Sequence, residues 1–228
     1  FVLYHLPHRI QSSTSGYHKS GMQGSPLEDH NLQPKQQTYT VLEGFSFLMN
    51  PFPIFPTHGI VRSDDVMPQT FYAHIQQIID LRKQIEADYA LLYNGTQCGA
   101  SIPQHWHMHV LPSELFSSWL KTEPTQAYFN DGLRKGFTIN AQADTHFETM
   151  LPQMHDDRLV NALVLKQGSL IQLTLLYRKA HRHRYFPKTK EGNGWLISPG
   201  VVDVLGHVSC VRESDMKTLT PRILEDIF

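Results

Sequence analysis

The stretch of sequence that decides the fold reads Asn94-Gly-Thr-Gln-Cys-Gly-Ala-Ser-Ile-Pro-Gln-His105-Trp-His107-Met-His109. In its second part, histidine alternates with apolar residues. Such alternation is typical of a β-strand, because successive side chains point to opposite faces. We therefore predict a strand over residues 105–111, with its three histidines on one face and its apolar side chains towards the core.

A loop of small residues leads into this strand. Its two glycines favour turns, and the backbone N–H groups of a tight turn can hold phosphate oxygens. We therefore interpret the loop as a candidate phosphate-binding segment. In this interpretation the substrate contacts Asn94, Gly95, Gly99, Ala100 and the hydroxyl of Ser101.

Two functions are open for the histidine strand. Three imidazoles on one face can bind zinc and leave a fourth position free. Alternatively, one neutral imidazole attacks a phosphorus atom, while a neighbour on its other ring nitrogen fixes its tautomer. The adjoining loop favours the nucleophile, because a zinc site needs no phosphate-binding segment.

Composition limits the class of protein. The chain has 228 residues and 40% hydrophobic content, enough for one large domain or two closely joined halves. Its net charge of -1 gives no reason to expect a nucleic-acid partner. No apolar run approaches the roughly 20 residues that span a bilayer, so we expect no membrane partner. Cys98 and Cys210 are far apart, so we expect no disulfide framework and predict a cytoplasmic location.

Periodicity and turn residues predict the elements of each half. In the first half we expect a polar loop over 11–40, a hairpin over 39–49, a proline-rich connector over 50–56, a strand over 58–62, a helix over 64–88 and a strand over 89–93. In the second half we expect strands over 161–165 and 170–178 around a turn at 166–169, a short strand over 195–198 and a helix over 214–227.

The strand-rich plan of both halves suggests a duplication. We place the seam at 152–158, which separates an N-terminal catalytic half, 1–151, from a C-terminal half, 152–228. The second half is expected to complete the sheet and the substrate pocket.

The segment from Asn94 to His109 resembles the active-site segment of the histidine-triad superfamily. The branch that it resembles most contains galactose-1-phosphate uridylyltransferase, diadenosine tetraphosphate phosphorylase (ATP adenylyltransferase) and the GDP-hexose phosphorylases. Residues 50–56, followed by His58, are similar to the strand and turn before the helix in that branch. Residues 197–203 resemble an uncharacterised bacterial branch of the same superfamily.

This resemblance implies an α+β fold, a histidine-triad-like antiparallel sheet with packed helices, present as two related halves. It implies that His107 is the nucleophile, that Ser101 contacts the phosphates, that Asn94 holds a ribose or a phosphate, and that His105 supports the site. The implied enzyme is a nucleotidyltransferase or phosphorylase. Its donor is a nucleotide sugar or a dinucleoside polyphosphate, and its acceptor is phosphate or a sugar phosphate.

Two departures from the branch keep alternatives open. The branch usually has glutamine at the position of His109, whereas the small dinucleoside hydrolases have histidine there, so hydrolysis is an alternative reaction. Relatives often hold zinc with a Cys-x-x-Cys pair, but residues 25–30 contain no cysteine. We therefore predict no cofactor and doubt a structural zinc, although His30 with His105 is an alternative metal site. A non-catalytic nucleotide- or zinc-binding module is the third possibility.

Basic side chains outside the histidine strand are further candidates for substrate binding. Arg9 and Lys19 are candidate nucleotide contacts near the N-terminus. Arg182 belongs to a basic cluster over 178–184, and arginine forks suit phosphate groups. Asp203 is suited either to a sugar hydroxyl or to stabilising a turn. The polar N-terminal arm is expected either to close over the site or to serve a homodimer.

Overall fold

The computed structural model of the protein describes residues 1–9, 23–152, 156–187 and 192–228. Parts of the predicted loop at 11–40 and of the predicted seam at 152–158 lie outside these ranges. The strands are β1 (Val2–His5), β2 (Thr38–Leu42), β3 (Phe45–Met49), β4 (Gly59–Ser63), β5 (Tyr89–Asn94), β6 (His107–Pro112), β7 (Thr125–Asn130), β8 (Lys135–Gln142), β9 (Val160–Gln167), β10 (Leu170–Tyr177) and β11 (His207–Cys210).

The helices are short. The α-helices are α1 (Ile75–Gln84), α2 (Phe147–Met150), α3 (Val201–Val204), α4 (Glu213–Thr218) and α5 (Pro221–Ile227). Single 3-10 turns or helices cover Pro7–Arg9, Asp29–Asn31, Tyr72–His74, Ser113–Trp119 and Asp157–Leu159. Within the described residues, no helix is long and apolar enough to cross a membrane.

Nine strands form one antiparallel sheet in the order β2-β3-β4-β6-β5-β9-β10-β8-β7, and β1 pairs with β11 in parallel. Helices pack on this sheet, which confirms the predicted α+β class with an antiparallel sheet. The predicted hairpin at 39–49 is formed by β2 and β3, and the predicted strands at 58–62, 89–93, 161–165 and 170–178 are β4, β5, β9 and β10.

The sheet contains the same strand arrangement twice. The order β3-β4-β6-β5 in the first half is repeated as β7-β8-β10-β9 in the second, and a helix follows the second strand of each repeat. The repeats meet where β5 and β9 pair antiparallel, with Asn94 opposite Asn161. This order bears out two related halves. The second repeat begins at Thr125, before the seam expected at 152–158, and the division at residue 151 stays a prediction.

One face of the sheet forms the larger core with α1 and α2. In α1, Ile75, Ile78 and Ile79 are buried against the sheet at the three- and four-residue spacing of a helix face. Met108 and Val110 of β6 point into this core. The histidines between and beside them must therefore point to the opposite face.

The opposite face is covered in its middle by the C-terminal part of the chain. Leu92 of β5 and Leu163 of β9 pack with Val201 and Val204 of α3. Strands β5 and β9 are buried on both faces, which explains their nearly continuous apolar sequence. A cavity lies on this face beside β3, β4 and β6, lined by Leu48, Ile60, His107 and His109.

Two predicted helices were wrong in extent. The helix expected over 64–88 is α1 alone, because the backbone before it bonds elsewhere: the N–H of Gln69 donates to Pro103 and that of Phe71 to Asp157. The helix expected over 214–227 is two helices, α4 and α5. Pro221 cannot donate a helical hydrogen bond, and Thr220 caps the second helix in an extended conformation.

Two predicted strands also differ. The histidine strand begins at His107, not at residue 105, because the N–H of Trp106 donates to Met67 in a loop. Residues 195–198 form no strand, since the N–H of Leu196 donates to the carboxylate of Asp215. No element was predicted over 113–150, where the structure has β7 and β8.

Candidate active site

The cavity beside β3, β4 and β6 has a volume of about 370 Å³. Its walls contain two distinct sets of side chains. The apolar group consists of Leu27, Leu32, Leu48, Ile60 and Ile102, which also pack on one another. The charged group consists of Arg9, Arg182 and Asp203. His181 lies beside it, and burial lowers the pKa of its imidazole. His107 and His109 also line the cavity.

The tautomer of His107 is set by its own backbone. Its Nδ1 lies 2.8 Å from the carbonyl oxygen of His105. A carbonyl oxygen can only accept, so Nδ1 carries the proton and Nε2 carries the lone pair. Burial lowers the pKa of His107 to about 4, so the ring is neutral at physiological pH. This is the state that an imidazole nucleophile needs.

Gln69 holds the backbone of His107. Strands β5 and β6 pair only as far as Leu92 and His109, and the two chains separate beyond that pair. The carboxamide of Gln69 fills the gap: its Oε1 accepts from the N–H of His107, and its Nε2 donates to the carbonyl oxygens of His107 and Asn94. His107 therefore begins β6 held by the side chain of Gln69 on the side where β5 no longer pairs with it.

The protonation of His109 follows from its neighbour His58. The backbone N–H of Ile54 donates to Nδ1 of His58, so a neutral His58 carries its proton on Nε2. Burial lowers the pKa of His58 to about 3, which keeps it neutral. Its Nε2 lies 3.0 Å from Nδ1 of His109 and from the amide nitrogen of Asn50, and only the histidine nitrogen can accept. His109 is therefore protonated on Nε2 and can donate to a ligand.

The prediction that His105 shares a face with the other two histidines is wrong. His105 precedes the strand and is fully buried, and its Nε2 lies 2.8 Å from the carbonyl oxygen of Ser63. It does not line the cavity. The contribution of His105 is its backbone carbonyl oxygen, which accepts a hydrogen bond from Nδ1 of His107. Three imidazoles are thus not presented together, and the described residues contain no group of three or more potential metal ligands.

Most of the predicted phosphate-binding loop does line the cavity. Asn94, Gly99, Ala100 and Ser101 all contribute to its wall. Gly95 does not, which corrects its assignment. Its N–H donates to the carbonyl of Val160, and a Cβ at this glycine would meet the backbone of the second repeat at 2.6 Å. Gly95 therefore joins the two repeats and leaves no donor for a ligand.

The charged group brings together residues that are distant in sequence. Arg9 and Arg182, which were predicted as substrate contacts, both line the cavity, and Arg182 stacks on the ring of Phe186 at 4.2 Å. His181 was not singled out beforehand. The carboxylate of Asp203 accepts from two backbone N–H groups, those of Gly200 and Ser209, as a turn-stabilising residue would. The predicted contact Lys19 lies outside the described residues.

Sequence reasoning missed His58 and Gln69. His58 could have been found from the sequence. It follows the proline-rich segment that resembles the superfamily, and it begins the predicted strand at 58–62. Gln69 had no comparable signal, because its contacts with Asn94 and His107 are made across 25 and 38 residues of sequence.

Comparison with known proteins supports the fold. A family model described as "Domain of unknown function (DUF4922)" matches residues 1–112. No curated protein matches the chain. Among solved structures, yeast Ap4A phosphorylase Apa2 is similar at 13% identity, with a TM-score of 0.50, over 81% of this chain and 70% of that chain. The same yeast enzyme in complex with Ap4A is similar at 14% identity, with a TM-score of 0.54, over 81% of this chain and 72% of that chain. The chain therefore has the fold of this phosphorylase.

Proposed function

We propose that this protein is a nucleotidyltransferase or phosphorylase that forms a covalent nucleotidyl-histidine on His107. The donor is a nucleotide sugar or a dinucleoside polyphosphate, and the acceptor is phosphate or a sugar phosphate. The single observation that carries the proposal is the hydrogen bond from His107 Nδ1 to the carbonyl of His105. It leaves an unprotonated Nε2 at a cavity wall.

In the first half-reaction, the lone pair of Nε2 attacks the phosphorus atom next to the nucleoside. The bond from that phosphorus to the leaving oxygen breaks, and the leaving group takes the electron pair. No proton has to leave His107, because Nε2 carries none. The ring becomes cationic, and the carbonyl of His105 stabilises it through Nδ1–H. In the second half-reaction an acceptor oxygen attacks the phosphorus, and the P–N bond returns its electrons to Nε2.

The proposed roles of the other groups follow from their donors. His109 donates from Nε2 to a phosphate oxygen, and Ser101 and the amide of Asn94 donate to the same phosphate group. Donors of this kind stabilise charge that develops on the phosphate oxygens during the reaction. The apolar group is suited to bind a nucleobase, because the flat face of a base is apolar and packs favourably against aliphatic side chains.

An anionic acceptor is favoured over water. Arg9 and Arg182 converge on one cavity, and arginine side chains suit phosphate groups in particular. Hydrolysis through the same intermediate would need no such group for its acceptor. The yeast phosphorylase of the same fold was solved with Ap4A, which supports a nucleotide ligand here as well.

Labelling tests the covalent step. The protein is incubated with α-labelled dinucleoside polyphosphates and nucleotide sugars, quenched, and analysed for acid-labile label. We expect label on the wild type and none on His107→Ala. A matched control is His146→Ala, because that histidine is exposed on another element and should label normally. Label retained on His107→Ala, or none on the wild type with any donor, would contradict the proposal.

Product analysis separates transfer from hydrolysis. With phosphate present, a phosphorylase releases a nucleoside diphosphate, whereas a hydrolase releases a nucleoside monophosphate whether or not phosphate is added. Turnover that does not respond to phosphate or to sugar phosphates would identify the hydrolase.

A further inference from the structure

The carboxamide of Asn94 has a defined orientation. Its Oδ1 accepts from Nδ2 of Asn161 at 2.9 Å and from the backbone N–H of Val201 at 2.7 Å. A backbone N–H can only donate, so the oxygen end of the carboxamide must face Val201. Asn94 lines the cavity, and no hydrogen bond from its amide nitrogen is found among the described residues. The nitrogen is therefore the end that a ligand can use.

Asn161 is oriented in its turn by Arg178. Asn161 is fully buried and lies opposite Asn94 where the two repeats meet. Its Oδ1 accepts from Nη1 of Arg178 at 2.6 Å. A guanidinium can only donate, so the amide nitrogen of Asn161 must face Asn94. It also donates to the carbonyl of Cys98 at 3.0 Å.

Arg178 is a buried cation that is bonded to no carboxylate among the residues that the structure describes. Only 7% of the residue is exposed, and within the described part of the chain its Nε and Nη2 have no hydrogen-bond partner. Asp203 acts on it only through space. Burial lowers the pKa of Arg178 to about 10, so it remains charged at neutral pH. Its guanidinium also lies over the ring of Phe228, 5.7 Å from the centroid. A buried charge with so few hydrogen bonds still costs stability, which favours a role in ligand binding.

The three side chains form a series in which each donates to the next. Arg178 donates to Asn161, Asn161 donates to Asn94, and Asn94 has donors left for a ligand. Hydrogen bonds in series polarise one another, and a cation at the far end increases the effect. Such a series favours an anionic acceptor over a neutral one.

We infer that Asn161 and Arg178 are positioning residues for the substrate phosphate: they keep the amide N–H groups of Asn94 available to a phosphate oxygen and extend a positive charge towards it. The inference rests on the proposed function, and it makes the second repeat a part of the catalytic site. A ribose hydroxyl is the less suitable ligand, because it gains little from a donor backed by a cation.

The test is Asn161→Asp. The new carboxylate keeps the shape and forms an ion pair with Arg178. Its second oxygen faces Oδ1 of Asn94 and the carbonyl oxygen of Cys98, so the fold should be retained with a lower Tm. The donor to Asn94 is lost, and the charge of Arg178 is neutralised locally. Calorimetry with AMP, GMP, UMP and CMP, and with the four nucleosides, should show monophosphate binding weakened by about 10- to 100-fold and nucleoside binding unchanged.

Two controls accompany this variant. Asn140→Asp makes the same change at another buried asparagine, which donates to the carbonyls of Lys121 and Glu123 and does not line the cavity, so binding should be normal. Arg178→Lys should retain more monophosphate affinity than Arg178→Met, because it keeps the charge. A merely structural role would not distinguish monophosphate from nucleoside.

The outcomes separate the two proposals. If the wild type binds monophosphates and Asn161→Asp binds them equally well, the positioning role is overturned while the proposed function stands. Equal weakening for nucleosides and monophosphates would assign the series to the ribose and overturn the phosphate assignment. If the wild type binds none of the four monophosphates, the proposed function fails, and this inference fails with it.

Discussion

At the scale of the residue, position 109 can be filled by histidine or by glutamine, because both side chains can accept one hydrogen bond and donate another. As a histidine it accepts from His58 through Nδ1 and has a proton on Nε2 for the cavity. A glutamine could do both, because its Oε1 can accept from His58 while its amide nitrogen donates to a phosphate. This gives a physical reason why the resembling branch carries glutamine at this position.

We therefore predict that His109→Gln retains labelling of His107 within about tenfold of the wild type. His109→Leu removes both the acceptor for His58 and the donor to the phosphate, and its labelling rate should fall by about 10²- to 10³-fold, the usual size of one lost oxyanion donor. Rapid-quench labelling with a dinucleoside polyphosphate measures both rates. Equal rates for the two variants would show that the donor is unimportant.

At the scale of the element, the entry to α1 depends on a residue from the other repeat. The carboxylate of Asp157, which precedes β9, accepts from the backbone N–H groups of Phe71 and Tyr72. These donors lie just before the helix and have no helical partner of their own. The carboxylate of Asp157 therefore caps the 3-10 turn that leads into α1. Because Asp157 belongs to the second repeat, the same contact joins the two repeats.

Asp157→Ala should lower the free energy of unfolding by about 1 to 3 kcal/mol, because it leaves buried donors without an acceptor. The neighbouring Asp156→Ala is the matched control. Asp156 is exposed, and its carboxylate accepts from the side chain and the backbone N–H of Arg158 outside the core, so its loss should cost much less. Urea unfolding of the two variants measures the difference, and similar losses would argue against the capping role.

At the scale of the whole molecule, buried neutral histidines make stability depend on pH. The pKa of His107 is lowered to about 4 and that of His58 to about 3, both chiefly by burial. In the unfolded chain both titrate near the ordinary value of about 6.5. Below that pH the unfolded state binds protons that the folded state does not, so stability is lost as the pH falls from about 6.5 towards 4.

The midpoint of urea unfolding should therefore decrease between pH 7.5 and pH 5. In His107→Asn the decrease should be smaller, because this variant lacks one of the histidines that must stay neutral. A parallel decrease in the wild type and the variant would assign the effect to other groups.

The sequence by itself determined the strand alternation of β6, the small-residue loop before it and the class of fold. These features are local, because a strand alternates with a period of two residues and a turn needs its glycines within a few positions. The same local rule misplaced His105. Alternation continues in the sequence one step beyond the strand, but the backbone of Trp106 bonds to a loop instead.

Only the tertiary structure decided which groups surround His107 and its neighbours in the cavity. Gln69 contacts His107 across 38 residues, His58 contacts His109 across 51, and Asn161 contacts Asn94 across 67. The spacing of residues along the sequence does not predict such contacts, because they form only when burial of the sheet faces brings separate strands and loops together. The alternating histidines therefore identify a candidate nucleophile, while the folded chain determines where each proton lies.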